Sequence, residues 1–126
     1  MQLNAAIQTV GSEVIVPSAA ITATAAGATF SGYRNAESLA IQVDVTAASG
    51  TTPTLDVKLQ ESHDGTNWFD VPSAAATQLT AAGHALIKVD LSKGIGNYIR
   101  AYYTLAGTTP NFTFSVTAYA KAKATY

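Results

Sequence analysis

The chain has 126 residues and no cysteine; only 12% of its residues are charged, seven Lys or Arg against eight Asp or Glu, for a formal net charge of -1. That length suits one domain, residues 1–126, able to bury roughly two thirds of its unfolded surface without a staple. The missing cysteine excludes disulfide frameworks, cysteine-ligated zinc and thiol catalysis, and the near-balanced charge argues against nucleic-acid binding. Ala (24) and Thr (17) make up about a third of the chain, a mix poor in ionisable groups. No apolar run approaches the ~20 residues that span a bilayer. Met1-Gln2-Leu3-Asn4 lacks the basic region of a signal peptide, so export is not expected.

Residues 1–12 are expected to form either a first strand or an arm laid on a neighbour; Gln2 to Val10 is apolar and uncharged, with Leu3 and Ile7 as its contacts. Residues 4–10 and 13–16 read as short strands, the second ended by Pro17. No window shows a sustained helical period, whereas alternation with period two is strong. Leu39, Ile41, Val43 and Val45 alternate with Ala40, Gln42, Asp44 and Thr46; Leu55, Val57 and Leu59 alternate with Asp56, Lys58 and Gln60. The Asp64-Gly65 turn connects the second of these to a strand at Trp68-Phe69-Asp70-Val71, closed by Pro72. Trp68 and Phe69 are adjacent, so they point to opposite faces, one into the core and one partly exposed. Gly83, Gly94 and Gly96 mark later turns, and Ile87, Val89 and Leu91 form another alternating strand.

In residues 98–105, Ile99, Ala101, Tyr103 and Leu105 form an apolar face, and Tyr98, Arg100, Tyr102 and Thr104 an opposite face too aromatic for bare solvent. Phe112, Phe114, Val116 and Ala118 complete the pattern against Thr113, Ser115, Thr117 and Tyr119. Short strands with no helix between them predict an all-β fold, an antiparallel β-sandwich of jelly-roll-like form. An internal repeat runs through it: Ser49-Gly50-Thr51-Thr52-Pro53-Thr54-Leu55 resembles Ala106-Gly107-Thr108-Thr109-Pro110-Asn111-Phe112. Both copies read as strand, loop, strand, which suggests two equivalent hairpins, one per half of the sandwich.

Catalytic patterns are absent. His63 and His84 sit beside Asp or Gly in expected turns, without metal-ligand spacing. Ser62, His63 and Asp64 are neighbours that cannot converge as a triad, and there is no nucleophile elbow. The carboxylate pairs Asp56 with Glu61 and Asp64 with Asp70 read as solvated surface charge. Neither an EF-hand loop nor a phosphate loop is present. Asn111-Phe112-Thr113 is a formal glycosylation sequon whose Phe112 belongs to a core face. No catalytic residue, cofactor or metal is therefore expected, and the chain is not read as an enzyme. Exposed aromatics beside Arg are typical of binding surfaces, which singles out Trp68, Phe69, Tyr98, Arg100 and Tyr102, with Tyr119 and Tyr126 near the end. A surface carrying half the usual share of charge repels partners little and favours permanent assembly.

The segments Leu55-Asp56-Val57-Lys58-Leu59-Gln60-Glu61-Ser62-His63-Asp64-Gly65-Thr66-Asn67-Trp68-Phe69-Asp70-Val71 and 98–116 resemble a pattern in small structural proteins of tailed bacteriophages, the capsid decoration or cement proteins. The resemblance covers roughly the C-terminal 70–75 residues; the first 35 carry no recognised pattern. It implies a jelly-roll-like sandwich made in the host bacterial cytoplasm and bound to the outer capsid surface, where it bridges major capsid protein subunits as a dimer or trimer. Neither nucleic acid nor membrane would be a partner. Candidate contacts are the N-terminal segment with Leu3 and Ile7, the loops carrying Thr51, Thr52, Thr108 and Thr109, and the Trp68 hairpin. Two rivals remain. One is another virion β domain, from tail, neck or fibre; the other is a carbohydrate-binding module stacking sugars on Trp68, Tyr98 or Tyr102.

Overall fold

The computed structural model describes residues 10–122. β1 (Val10–Ile21) and β2 (Ala25–Ala26) lead through a 3-10 turn at Tyr33–Asn35 into the 27-residue β3 (Ala36–Ser62). β4 (Phe69–Ala75), β5 (Gly83–Lys88) and the 25-residue β6 (Tyr98–Ala122) follow. The two long strands pair antiparallel from Ala36 opposite Ala122 to Ser62 opposite Tyr98.

Strands this long cannot stay in one flat layer, and both bend at the repeated Gly-Thr-Thr-Pro segment. The register breaks there, between Ser49 and Thr51 and between Thr51 and Thr54. Gly50 (φ 115°) and Gly107 (φ 106°) take backbone angles closed to L side chains, and Thr52 (φ 47°) and Thr109 (φ 46°) sit left-handed beside them. The two corners interlock. A Cβ on Gly50 would lie 2.7 Å from the Thr109 carbonyl oxygen, and one on Gly107 2.6 Å from that of Thr52. The sequence repeat is thus a structural repeat, but not the expected pair of hairpins: each copy is a corner within one continuous strand, and the two corners pack against each other.

Beyond the corners the pairing divides into two layers. The first half of β3 and the second half of β6 lie between β5 and β1; the second half of β3 and the first half of β6 lie between β4 and β2. This is the strand order of a jelly roll, as the alternation implied. The inward sets Leu39, Ile41, Val43 and Val45; Leu55, Val57 and Leu59; Ile99, Ala101 and Tyr103; and Phe112, Phe114, Val116 and Ala118 join one core. Tyr103 and Phe114 meet across it edge to face at 5.4 Å. Each large side chain so buried contributes about 1.5–3 kcal/mol.

Several strand ends differ from expectation. Pro17 does not end β1, which runs on to Ile21 with register shifts on either side of Val16. Pro72 likewise lies inside β4, where a bulge separates the Gln60–Asp70 and Lys58–Ala75 pairs. Both strands are sheet edges, where a missing N–H costs no ladder bond. The strand expected at 87–91 is β5, which begins at Gly83 and ends at Lys88, so Gly83 and His84 are strand rather than turn residues. Val89 still donates to the Leu39 carbonyl, 3.0 Å, as the chain leaves the sheet. Tyr33, in the unpatterned N-terminal region, proves to be core: it is fully buried and its hydroxyl donates to Glu13, 2.8 Å. Burial pushes its pKa up to about 12.

Candidate interaction surfaces

The outward face of the β2–β6–β3–β4 sheet carries the aromatic set singled out from the sequence. Register places Lys58 opposite Tyr102 and Gln60 opposite Arg100. Arg100 Nε donates to Gln60 Oε1 (2.8 Å), and its guanidinium lies 4.3 Å from the centre of the Trp68 ring. Gln60 and Lys58 both donate to the Asp70 carboxylate, at 3.0 and 2.9 Å, and the Lys58 ammonium lies 5.2 Å from the Tyr102 ring centre. These bonds, Gln60 first and then Lys58, hold the Asp70 carboxyl below the usual carboxylate range. Tyr98 lies over the neighbouring turn, its ring 3.6 Å from where a Gly65 Cβ would stand. In that turn Asp64 accepts from the backbone N–H groups of Asn67 and Thr66 and from the Asn67 and Ser62 side chains, which lowers its pKa strongly. Ser62 is fully buried and also accepts from the Gly65 N–H, so it is a turn residue with no nucleophilic geometry.

Neither Trp68 nor Phe69 enters the core, contrary to expectation. Trp68 is half-buried, with Arg100 over its ring, so that face of the indole is not open for a sugar. Phe69 pairs with Glu61 at the very end of the β3–β4 ladder, past the core side chains, and stays 62% exposed. It lines a groove of about 550 Å³ together with Val71, Pro72 and Ile95. Glu61 and His63 also face this groove. The Glu61 carboxylate accepts from the Gly96 N–H (2.8 Å) and lies 4.0 Å from His63. Among the described residues no group of three or more His, Cys, Asp or Glu could hold a metal ion, and no helix is long and apolar enough to cross a membrane.

The four loop threonines are brought together. Thr51 pairs with Thr108 where the two corners meet, and Thr52 and Thr109 stand exposed beside them. Leu3 and Ile7 lie outside the described residues.

The outward face of the β1–β6–β3–β5 sheet was not singled out from the sequence beyond Tyr119. One row across it runs Val14, Thr117, Gln42, Leu86; the next runs Ser12, Tyr119, Ala40, Lys88. Val14, Leu86 and Tyr119 are 52%, 54% and 41% exposed, three of the four exposed large apolar side chains among the described residues. Its charges are few: Asp44 contacts His84 at 3.1 Å, Lys121 contacts Glu37 at 3.2 Å, and Lys88 stands at the edge. Alternation around Ile15 and Ile87, both buried, would have placed Val14 and Leu86 on this outer face.

No family model matches the sequence, and a search of curated proteins finds no significant match. Solved structures do share the fold. The SPBc2 prophage-derived protein YomS superposes with a TM-score of 0.54 at 10% identity, covering 96% of this chain and all of the other. A chain of the infectious bursal disease virus structure, Gx strain, gives a TM-score of 0.54 at 13% identity, covering 93% of this chain but only 32% of the longer one. The all-β sandwich of this chain is therefore also found in proteins of prophage and viral origin.

Proposed function

We propose that this chain is a non-enzymatic structural component of a virion, a decoration or cement protein of a tailed-phage capsid. The observation that carries the reading is the sparsely charged outer face of the β1–β6–β3–β5 sheet, with Val14, Leu86 and Tyr119 exposed on a jelly-roll frame. Such a face gains by being covered, and an assembled shell offers many equivalent places to cover it. The fold shared with a prophage-derived and a viral protein supports the same reading, as does the likeness to phage structural proteins in residues 55–71 and 98–116. In this reading the protein sits on the outer surface of the shell and bridges major capsid protein subunits. It binds only the assembled lattice, and so stabilises it by its binding free energy.

The test is to add purified protein to tailed-phage heads assembled without it and to count copies per shell. Saturable binding to expanded heads, with a higher temperature of head rupture, is expected, and Val14→Lys with Tyr119→Lys should abolish it. Binding to tails or fibres alone would move the protein elsewhere in the virion; binding to none of them would overturn the reading.

A further inference from the structure

Among the described residues the jelly roll has four edge strands, and three of them are blunted. β2 is two residues long. β1 carries two register shifts and Pro17, and β4 carries a bulge, Pro72 and a left-handed Ser73 (φ 59°). Such devices are how proteins keep an open ladder from pairing with another chain. β5 has no bulge, proline or left-handed residue, and of such devices carries only the charge of Lys88 at its end. Its six residues, Gly83 to Lys88, run in unbroken register against Val45 to Ala40, contain no proline, and pair among the described residues with β3 alone.

The direction of its free backbone groups follows from one bond. Val89 N–H donates to Leu39, so alternation turns Ile87, Ala85 and Gly83 toward β3 and leaves the N–H and C=O groups of His84, Leu86 and Lys88 facing outward. We infer that β5 pairs antiparallel with β5 of a second copy of this chain, about a twofold axis at Leu86.

That register is the one that matches every outward group within the strand. Leu86 bonds with Leu86 of the second copy, His84 with Lys88 and Lys88 with His84. A centre at Ala85 would instead oppose Lys88 to a residue before the strand begins. A centre between residues would set core-facing side chains against outward ones. The chosen pairing also brings the two half-exposed leucines together and aligns Ala85 with Ile87 on the core side. A net charge of -1 opposes it little. The pairing is isologous and therefore closes at two copies, and it joins the two outer faces into one continuous sheet surface. It supplies the dimer that the capsid reading calls for but does not depend on that reading. An edge of six residues makes a small interface, with dissociation in the micromolar range or weaker.

The experiment is sedimentation of the full chain from micromolar to millimolar concentration, with amide hydrogen exchange at both ends of the range. A monomer–dimer equilibrium is expected, with the amides of His84, Leu86 and Lys88 gaining protection at high concentration. Leu86→Lys should weaken association about tenfold or more while leaving the thermal melt unchanged, because the side chain is half exposed. A chain that stays monomeric throughout overturns the inference. So does a dimer that Leu86→Lys leaves intact, or one in which these three amides stay unprotected. Failure of the unaltered chain to bind heads, with the dimer intact, would count against the capsid reading alone.

Discussion

On the outside of the β2–β6–β3–β4 sheet, Trp68, Arg100, Gln60, Asp70 and Lys58 satisfy one another through stacking, hydrogen bonds and one ion pair. On the outside of the β1–β6–β3–β5 sheet, Val14, Leu86 and Tyr119 are exposed beside Thr117, Ser12, Ala40 and Gln42, with Lys88 in the same row as Tyr119 and the pairs Asp44–His84 and Lys121–Glu37 on the same face. The same two strands, β3 and β6, form the centre of both sheets, and the same Gly-Thr-Thr-Pro corner carries each strand from one layer to the other. The backbone is therefore nearly duplicated while the outer dressing is not. The first face joins an aromatic ring to its ion pair, whereas the pairs of the second face, Asp44 with His84 and Lys121 with Glu37, leave its large apolar side chains exposed. The difference lies in the side chains alone: one face pairs them with each other, and the other keeps three large apolar ones exposed.

The largest effects should test whether the duplication extends through the core. Leu55 and Phe112 occupy matching positions just past the two corners, and both are buried, at 1% and 0% exposure. Phe112→Ala is expected to cost about 3–5 kcal/mol and Leu55→Ala about 2–5 kcal/mol in denaturant unfolding. If both sheets share one core, each variant should unfold in a single transition that coincides by fluorescence and circular dichroism. A loss confined to Phe112→Ala would make the β4-side sheet an appendage and break the comparison.

The corners come next. Ala at Gly50 or Gly107 must adopt a positive φ and bring its Cβ within 2.7 or 2.6 Å of a carbonyl oxygen of the opposite corner. Each substitution is expected to cost about 1–3 kcal/mol. Because the corners lock each other, the double variant should cost less than the sum of the two. Additive losses in the same unfolding measurements would show two independent bends.

What could be read from the chain divides along the same lines. The strands around Ile41, Val57 and Phe114 were legible because each has one face in a core and one in water, which writes period two into the sequence. The repeat was legible too, but its meaning was not. Gly-Thr-Thr-Pro supplies a left-handed backbone whether the chain reverses or bends, and only the partner strand decides which. Pro17 and Pro72 read as stops because nothing local says that a strand is an edge. Of β1 only 13–16 was legible, and Tyr33 and β2 were opaque, since edge segments of Ala, Ser and Thr carry no contrast. Arg100 was picked out as exposed beside aromatics. Its cover of Trp68, which arrives from another strand, turns that exposed pair into a self-contained one.

Acid should act weakly, and it gives the finest view of the polar face. The folded structure holds Asp70 below its ordinary pKa of 3.8, through Gln60 first and Lys58 second. A lowered folded pKa favours the folded state above the unfolded value, so this contribution is present above about pH 4 and is lost as pH falls through the folded pKa. The carboxylate is largely exposed and its pair with Lys58 is screened, so the change should be only ~0.2–1 kcal/mol. Trp68 is the single tryptophan of the chain, and its ring lies under the guanidinium that Gln60 positions. Its emission should therefore shift below pH 4, while the fold is still intact by circular dichroism, and Asp70→Asn should remove most of that shift. An unchanged shift in Asp70→Asn would mean that the Arg100–Trp68 stack stands without the carboxylate, leaving two separate contacts where the geometry draws one network.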